Sequence, residues 1–160
     1  MRGKVVNKHA RHNLCFDHEA QEAAYEEGKG TVVPYRDVPL LAKLREVYSE
    51  MGESKGYPEL KVESNYYYDT TTCGIGYHGD TERSIVIGVR LGTTIPLVYH
   101  WWYSKEHRGE AIPVTLNHGD VYFMSEKATG NDWKKWSMVN LRHSAGCAKY
   151  TVPKAKKMNV

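Results

Sequence analysis

Short runs of β-forming residues, separated by turn residues, fill the chain between residues 60 and 152. Glycine, asparagine and aspartate mark the turns, as in Asn117-His118-Gly119 and Gly130-Asn131-Asp132. Seven or eight short antiparallel strands in a segment of this length are typical of a jelly roll or a barrel. The predicted strands are Leu60–Tyr68, Ser84–Leu91, Ile95–Trp101, Ala111–Leu116, Asp120–Met124, Met138–His143 and Lys149–Val152.

Residues 1–59 have a mixed pattern with one clear helix, predicted over Asp37–Met51. Asp37 is a good N-cap, and Pro39 falls in the first turn, where its missing N–H costs nothing. Gly52 is expected to end this helix, and a weaker helix is predicted over Asp17–Glu27. An apolar face is expected to pack against a sheet through Leu40, Leu41, Leu44, Val47, Tyr48 and Met51.

The length of 160 residues fits one domain with a real hydrophobic core. We therefore predict a mainly β protein with flanking helices, of the α+β class. A single domain spans residues 1–160, in which residues 1–59 form a helical extension and residues 60–152 form the β core.

Charge and hydropathy argue against several classes of protein. No run approaches the roughly 20 apolar residues that a membrane helix needs, and the start lacks the apolar run of a secretory signal. We expect a monomer in the cytoplasm or nucleus, without a membrane partner. The net charge of +3 permits a polyanionic partner without demanding one. Cys15, Cys73 and Cys147 are odd in number and far apart, which favours reduced thiols over disulfides or a zinc site.

The segment Cys73–Arg83, CGIGYHGDTER, places two types of metal ligand close together. His78 and Asp80 lie two residues apart, so in an extended strand their side chains share a face. A third ligand has to come from elsewhere, and His143, at the end of a predicted strand, is the best candidate. Two histidines and one carboxylate form the facial triad of non-haem Fe(II) oxygenases. The alternative is that His78 and Asp80 are solvated or paired residues beside a glycine-rich turn.

Three stretches, in this order, resemble the AlkB-like Fe(II)/2-oxoglutarate dioxygenases, and the resemblance covers roughly residues 2 to 155. NYYYD at 65–69, followed by GIGYHGDTER, is similar to that family's N-x-Y segment and I-G-x-H-x-D-D-E motif. HGDVYFMSEKATGNDW at 118–133 and RHSAG at 142–146 resemble the strand before the distal histidine and that histidine's surroundings. The resemblance implies a double-stranded β-helix (a cupin-like jelly roll), with iron bound by His78, Asp80 and His143. It also implies that Asn65 and Tyr67 hydrogen-bond 2-oxoglutarate.

The family's late strand carries R-x-N-x-x-x-R, whose arginines bind the co-substrate carboxylates. Here Lys149 replaces the first arginine and Thr151 the asparagine, while Lys154 falls one position short of the second arginine. Lysine lacks the bidentate fork of arginine. Arg90, a cation in the apolar stretch VIGVRLG, needs an anion or water, because burying an unpaired charge is costly. We therefore expect Arg90 to help bind the distal carboxylate of 2-oxoglutarate, unless it is edge-exposed or paired with a glutamate.

The resemblance also implies an activity. With O2, and with ascorbate as the reductant, Fe(II) enzymes of this family convert 2-oxoglutarate to succinate and carbon dioxide while hydroxylating a C–H bond. On an N-alkylated base of single-stranded DNA or RNA, this reaction is oxidative demethylation, as in DNA repair. Glu82 falls where the family's acidic residue contacts the damaged base; the alternative is an ion pair of Glu82 with Arg83 or another surface cation. Tyr35, Phe16 and Tyr77 are candidates for stacking on a flipped base.

Two other functions stay open. One is a 2-oxoglutarate-dependent hydroxylase of a protein side chain, a free amino acid or an unmodified nucleobase. The other is a β-sandwich binding module without enzymatic activity, for which iron and 2-oxoglutarate would neither stabilise the fold nor support turnover.

Overall fold

The computed structural model describes residues 10–53 and 59–153, and these residues are mainly β with a few helices, as the sequence predicts. They form two compact units. One unit is His12–Tyr66, and the other contains the described residues on either side of that segment. The boundary predicted between residues 59 and 60 lies inside the first unit, because a strand that follows this boundary pairs with a strand at the start of the unit.

The His12–Tyr66 unit contains a small sheet and one long helix. Its elements are β1 (His12–Asp17), β2 (Val32–Pro34), α1 (Pro39–Glu53) and β3 (Val62–Tyr66). The strand order is β2-β1-β3, in which β1 is parallel to β2 and antiparallel to β3.

The helix predicted over Asp37–Met51 is confirmed, but both ends differ. Asp37 closes a short 3-10 helix over residues 35–37 and does not cap α1. At the other end, α1 continues past Gly52. The apolar face packs only in part: Leu41, Leu44 and Tyr48 are half-buried, whereas Leu40, Val47 and Met51 are exposed. The prediction that the whole face packs is therefore wrong.

The helix predicted over Asp17–Glu27 is wrong. Asp17 is the last residue of β1, and the only helical turn in the segment is a 3-10 turn at Tyr25–Glu27. The backbones of Gln21 and Val32 form a β-bridge through two hydrogen bonds of 3.0 and 2.9 Å. Pairing with β2 thus overrides the helix propensity of a segment rich in alanine and glutamate.

Two antiparallel sheets build the second unit. The strands are β4 (Gly74–His78), β5 (Val86–Val89), β6 (Ile95–Tyr103), β7 (Glu106–Leu116), β8 (Val121–Met124) and β9 (Asn140–Gly146). One sheet has the order β4-β9-β6-β7, and the other consists of β5 and β8. Two short helices complete the unit: α2 (Glu126–Thr129) and α3 (Ala148–Thr151).

A shared core joins the two sheets of this unit. Leu97, Leu116 and Ala145 from the larger sheet cluster with Met124 of β8, and all four are buried. Partly buried residues from β4 to β8 pack around this cluster. The inner faces of the two sheets therefore pack against each other, and side chains that point inwards on any of these strands share one interior.

The strand predicted over Lys149–Val152 is wrong, since these residues belong to α3 and its C-terminal end. Gly146 has a φ of +109°, which turns the chain out of β9. The Thr151 hydroxyl then donates to the Cys147 carbonyl oxygen at 3.3 Å, and the Thr151 carbonyl oxygen accepts from the Tyr77 hydroxyl at 2.8 Å. The other predicted strands are present with shifted bounds, whereas β1, β2 and β4 were not predicted.

No helix within the described residues has the length and apolar character that crossing a membrane requires. All three cysteines are free thiols, in agreement with the sequence prediction.

Candidate metal centre

The two histidines of the predicted triad lie directly opposite each other on neighbouring strands. His78 is the last residue of β4, and its antiparallel partner on β9 is His143. A β-bulge between Ile75 and His78 shifts the register ahead of this pair. Because paired residues project to the same face of a sheet, the two imidazole rings meet, with their centroids 4.4 Å apart.

Asp80 supplies the third side chain from just beyond the end of β4. Its Oδ1 lies 3.6 Å from Nε2 of His78, and its Oδ2 lies 3.7 Å from Nε2 of His143. Ligand atoms of the three residues all lie within 4.8 Å of one another. The structure therefore brings together the three residues that the sequence singled out, and their spacing allows all three to bind one metal ion.

Backbone and side-chain hydrogen bonds hold the Asp80 loop in place. The Asp80 amide donates to the Thr129 carbonyl oxygen at 2.8 Å, and the Arg83 amide donates to the Asp80 carbonyl oxygen at 3.2 Å. Thr129 is fully buried, and its hydroxyl lies 2.9 and 2.7 Å from the carbonyl oxygens of Arg83 and Glu126. The C-terminal end of α2 thus fixes the position of the Asp80 loop, and with it the position of the carboxylate, relative to the larger sheet.

Two glycines let the Asp80 loop approach α2 and β9 closely. A Cβ on Gly79 would overlap the Gly130 carbonyl oxygen and would lie 2.8 Å from Cβ of Trp133. A Cβ on Gly130 would overlap the Leu141 carbonyl oxygen, and Gly130 also has a φ of +69°. Only glycine fits both positions without moving the backbone.

A hydrogen bond sets the orientation of the His78 ring, and burial lowers the pKa of His143. Nδ1 of His78 lies 2.8 Å from the Gly76 carbonyl oxygen and donates to it, which leaves the lone pair on Nε2, the atom nearest Asp80. Burial, and then the neighbouring His78, lower the pKa of His143 from 6.5 to about 4, although Asp80 acts in the opposite direction. At neutral pH His143 is therefore an unprotonated ligand, as metal binding requires.

An opening of about 280 Å³ borders the triad, lined by Gly79, Asp80, Thr81, Glu82, Arg83 and Lys134. Nη1 of Arg83 lies 3.6 Å from Oδ2 of Asp80. Glu82 is exposed on the rim, two residues from the carboxylate of Asp80. Its predicted place beside a substrate is thus compatible with the geometry.

Comparison with known proteins gives one relative. The chain is 49% identical over 150 residues to an uncharacterized protein, R156, of Acanthamoeba polyphaga mimivirus. The match covers 94% of this chain, and the chain spans 58% of the length of that relative. No family model matches the chain. No solved structure matches it either.

The other residues predicted for the site are not all near the triad. Tyr77 points to the opposite face of β4 from His78, where its hydroxyl is bound to α3 and its ring packs 5.9 Å from that of Trp102. The prediction that Tyr77 stacks on a substrate base at this site is therefore contradicted. Tyr67 is partly buried and packs against the core of the unit that holds the triad.

Two predicted residues belong to the His12–Tyr66 unit and are described within it. Asn65 is exposed on β3, and its Oδ1 accepts a 3.4 Å hydrogen bond from Asn13. Tyr35 is buried, its ring centroid is 5.3 Å from that of His18, and the Arg45 guanidinium lies 5.1 Å from the Tyr35 ring centroid.

The predicted co-substrate residues of the late strand are not on a strand. Lys149 is exposed on α3, and its ammonium lies over the Tyr150 ring at 5.2 Å. Thr151 is buried, and its hydroxyl is used within α3. Lys154 lies outside the described residues. The prediction that Lys149 and Thr151 bind the co-substrate fails because Gly146 directs the chain into a helix.

The sequence did not reveal the residues whose contacts hold the Asp80 loop and the side chains next to the triad in place. Thr129 and Gly130 come from ATG, a tripeptide without a distinctive pattern. Arg142 lies 4.4 Å from the ring centroid of Trp102 and 5.3 Å from that of Trp133, and its Nη2 donates to the Trp133 carbonyl oxygen. The Trp133 indole in turn donates to Thr81 Oγ1 at 3.1 Å. The position of Arg142 immediately before the distal histidine is the one signal that could have indicated this role.

Proposed function

We propose that this protein is an AlkB-like, Fe(II)- and 2-oxoglutarate-dependent dioxygenase. The observation that supports this most directly is the convergence of His78, Asp80 and His143, with ligand atoms all within 4.8 Å of one another. One carboxylate and two imidazoles on one side of an ion leave adjacent coordination positions for a bidentate 2-oxo acid and for O2. The same donor set suits Zn(II). The motifs shared with the AlkB-like family favour iron.

The arrangement of strands is compatible with the double-stranded β-helix of that family. Two antiparallel sheets share one core, and the triad lies at the end of β4, where the chain leaves the larger sheet. We assign the jelly-roll fold on this basis, together with the resemblance of the motifs.

Bound iron, with 2-oxoglutarate and O2, would supply oxidative decarboxylation to succinate and carbon dioxide, coupled to hydroxylation of a substrate C–H bond. His78 and His143 would hold the ion from the sheet through Nε2, and Asp80 would hold it from the loop. The Gly76 carbonyl oxygen keeps His78 in the tautomer that binds metal. Nη1 of Arg83 lies 3.6 Å from Oδ2 of Asp80, so a positive charge faces the carboxylate.

Single-stranded DNA or RNA carrying N-alkylated bases is the substrate class that we assign. Lys134, which lines the opening at Asp80, belongs to a tryptophan–lysine surface formed by Trp133, Lys134, Trp136 and Lys105. The ammonium of Lys134 lies 5.8 Å from the Trp133 ring centroid, and that of Lys105 lies 3.8 Å from the Trp136 ring centroid. Trp136 is 55% exposed. Exposed aromatic rings interleaved with cations are the features with which proteins bind single strands.

The test measures succinate and formaldehyde in the presence of Fe(II), ascorbate and 2-oxoglutarate, with and without methylated single-stranded oligonucleotides. We expect formaldehyde release that depends on the methyl group. Asp80→Asn should abolish turnover, whereas Glu110→Gln, the same chemical change at an exposed position of β7, should leave it intact.

Other outcomes separate the alternatives. Succinate without formaldehyde, on any methylated oligonucleotide, would assign the same chemistry to a protein side chain, an amino acid or an unmodified nucleobase. If neither iron nor 2-oxoglutarate binds or stabilises the protein, the oxygenase assignment is wrong and a non-enzymatic binding module takes its place.

A further inference from the structure

Arg90 projects into the interior between the two sheets of the triad unit. Val86 pairs with Met124, and Gly88 pairs with Tyr122, across the β5–β8 ladder. Val86, Met124 and Tyr122 all belong to the core cluster or pack against it, so this face of the ladder is the inner one. The Arg90 amide donates to the Asp120 carbonyl oxygen at 2.9 Å, which extends the pairing by one residue. Because side chains alternate along a strand, Arg90 shares the inner face with Val86 and Gly88.

Gly88 leaves room for the Tyr122 ring. A Cβ at this position would overlap the phenol ring and the hydroxyl of Tyr122. The absence of a side chain at Gly88 therefore allows Tyr122 to lie over the face of β5 that Arg90 shares.

The guanidinium has no anionic partner among the described residues. Its Nε is buried and makes no hydrogen bond there, and none of the ion pairs formed by these residues includes Arg90. The phenols of Tyr67 and Tyr122 pack against the core cluster that the inner face of β5 also contacts. Burial raises the pKa of both phenols, and the positive charge of Arg90 acts against this rise. An arginine in such a place is held ready for an anion, because leaving the charge unpaired is unfavourable.

The same interior leads to the metal triad. Leu97 and Ala145 pair in the β6–β9 ladder and both belong to the core cluster, so His143, two residues before Ala145, faces the same interior. Tyr99 pairs with His143, its ring centroid lies 6.0 Å from that of His143, and it packs against the same core cluster as Tyr122. The triad and Arg90 therefore face one interior, which the phenols of Tyr67, Tyr99 and Tyr122 also line.

We propose that Arg90, which shares the interior of this unit with the phenols of Tyr67 and Tyr122, binds the far carboxylate of a 2-oxo dicarboxylic acid whose 2-oxo acid end meets the triad. This assignment rests on the proposed function for the metal end of the ligand. It moves the carboxylate anchor from the late part of the chain, where Lys149 is exposed on α3, to the end of β5. It also makes the site selective for a diacid over a 2-oxo acid with an apolar tail.

The test is a binding measurement, which needs no turnover. Calorimetry on the protein loaded with Co(II), without O2, gives the affinity for 2-oxoglutarate and for 2-oxobutyrate, which lacks the second carboxylate. We expect Arg90→Met to weaken 2-oxoglutarate binding about 100-fold, since a charge-assisted bidentate pair is lost, and to leave 2-oxobutyrate and Co(II) affinity unchanged. Arg90→Lys should fall between the two, because it keeps the charge without the fork. Arg108→Met, on an exposed arginine of β7, is the matched control and should bind 2-oxoglutarate as the wild type does.

The outcomes separate this inference from the proposed function. Equal affinity of the wild type and Arg90→Met for 2-oxoglutarate overturns the role of Arg90 and leaves the dioxygenase assignment standing. If the metal-loaded wild type binds neither 2-oxo acid, both proposals fail. Thermal unfolding of the metal-free protein checks that the variants fold, and Arg90→Met should not lower the midpoint, because it removes a charge that has no partner in the free protein.

Discussion

A single methyl group added to Gly79 should damage the metal centre without touching any ligand. In Gly79→Ala the new Cβ overlaps the Gly130 carbonyl oxygen and lies 2.8 Å from the Gly130 carbonyl carbon. To reach the 3.4 Å of an ordinary contact with this carbon, the Asp80 loop and α2 must separate by at least about 0.6 Å (3.4 minus 2.8), because the oxygen is closer still. Backbone atoms lie on both sides, so no side chain can rotate away to absorb the change.

The same separation acts on the hydrogen bond next to it. The Asp80 amide and the Thr129 carbonyl oxygen are 2.8 Å apart, and an increase of this size would move them beyond the usual hydrogen-bond range of about 2.7–3.2 Å. Overpacking of this kind costs about 1–3 kcal/mol of unfolding free energy. Losing the support of a ligand typically weakens metal binding about 10- to 100-fold.

Gly76→Ala is the matched control, because Gly76 lies only three residues earlier, on β4, and a Cβ there meets no atom within 4 Å. Urea unfolding of the metal-free proteins and Co(II) titration measure the two effects. We expect Gly76→Ala to behave as the wild type and Gly79→Ala to lose both stability and Co(II) affinity. If the two variants are alike in both measurements, the close approach of Gly79 to Gly130 does not position Asp80, and the reasoning is refuted.

Two further predictions concern the support of the site and the stability of the fold. Thr129→Val removes a buried hydroxyl, which should lower the free energy of unfolding in urea by about 1–3 kcal/mol and weaken Co(II) binding. Thr129→Ser keeps the hydroxyl and should retain the Co(II) affinity, and equal Co(II) affinities of the two variants would exclude this role for the hydroxyl. Hydrogen bonds from Thr71 and Thr72 lower the pKa of Asp69 in the turn before β4. The ionised carboxylate therefore stabilises the fold fully at pH values above the pKa that Asp69 has in the unfolded chain, and this contribution is lost as the pH falls through the lower pKa of the folded state. The unfolding midpoint of the wild type should therefore exceed that of Asp69→Asn at neutral pH and approach it below about pH 4, and a difference that does not change with pH would contradict the assignment.

The sequence predicted the parts of the fold in which local pattern and tertiary pairing agree. β5 to β9 follow alternating or apolar runs bounded by turn residues, and the structure has a strand at each of them. His78 and Asp80 were recognisable because their two-residue spacing falls at the end of a strand.

The wrong predictions of secondary structure lie where pairing with a distant strand, or the torsion angle of a single residue, determines the local structure. Asp17–Glu27 has the composition of a helix, but β2 binds part of it as a bridge partner. Lys149–Val152 reads as a strand, but Gly146 has already turned the chain towards a helix. Neither cause is visible in the local sequence, because one depends on a partner elsewhere in the chain and the other on the φ of one glycine.

Sequence also could not show how the site is supported. Thr129 and Gly130 reach Asp80 only through the close approach of α2 to the loop after β4, some 50 residues apart in the chain. A threonine and a glycine are common residues in turns, and nothing in their own neighbourhood marks them as partners of a metal ligand.

The three ligands are attached to the fold in two different ways, and this makes them unequal under mutation. His78 and His143 belong to one rung of a ladder, so moving either imidazole would require strands to slide past each other. Asp80 is carried by a short connection whose backbone is anchored independently of its carboxylate. A descendant of this protein could therefore exchange the carboxylate for a small side chain and admit a foreign anion to the ion, while both histidines stayed where they are.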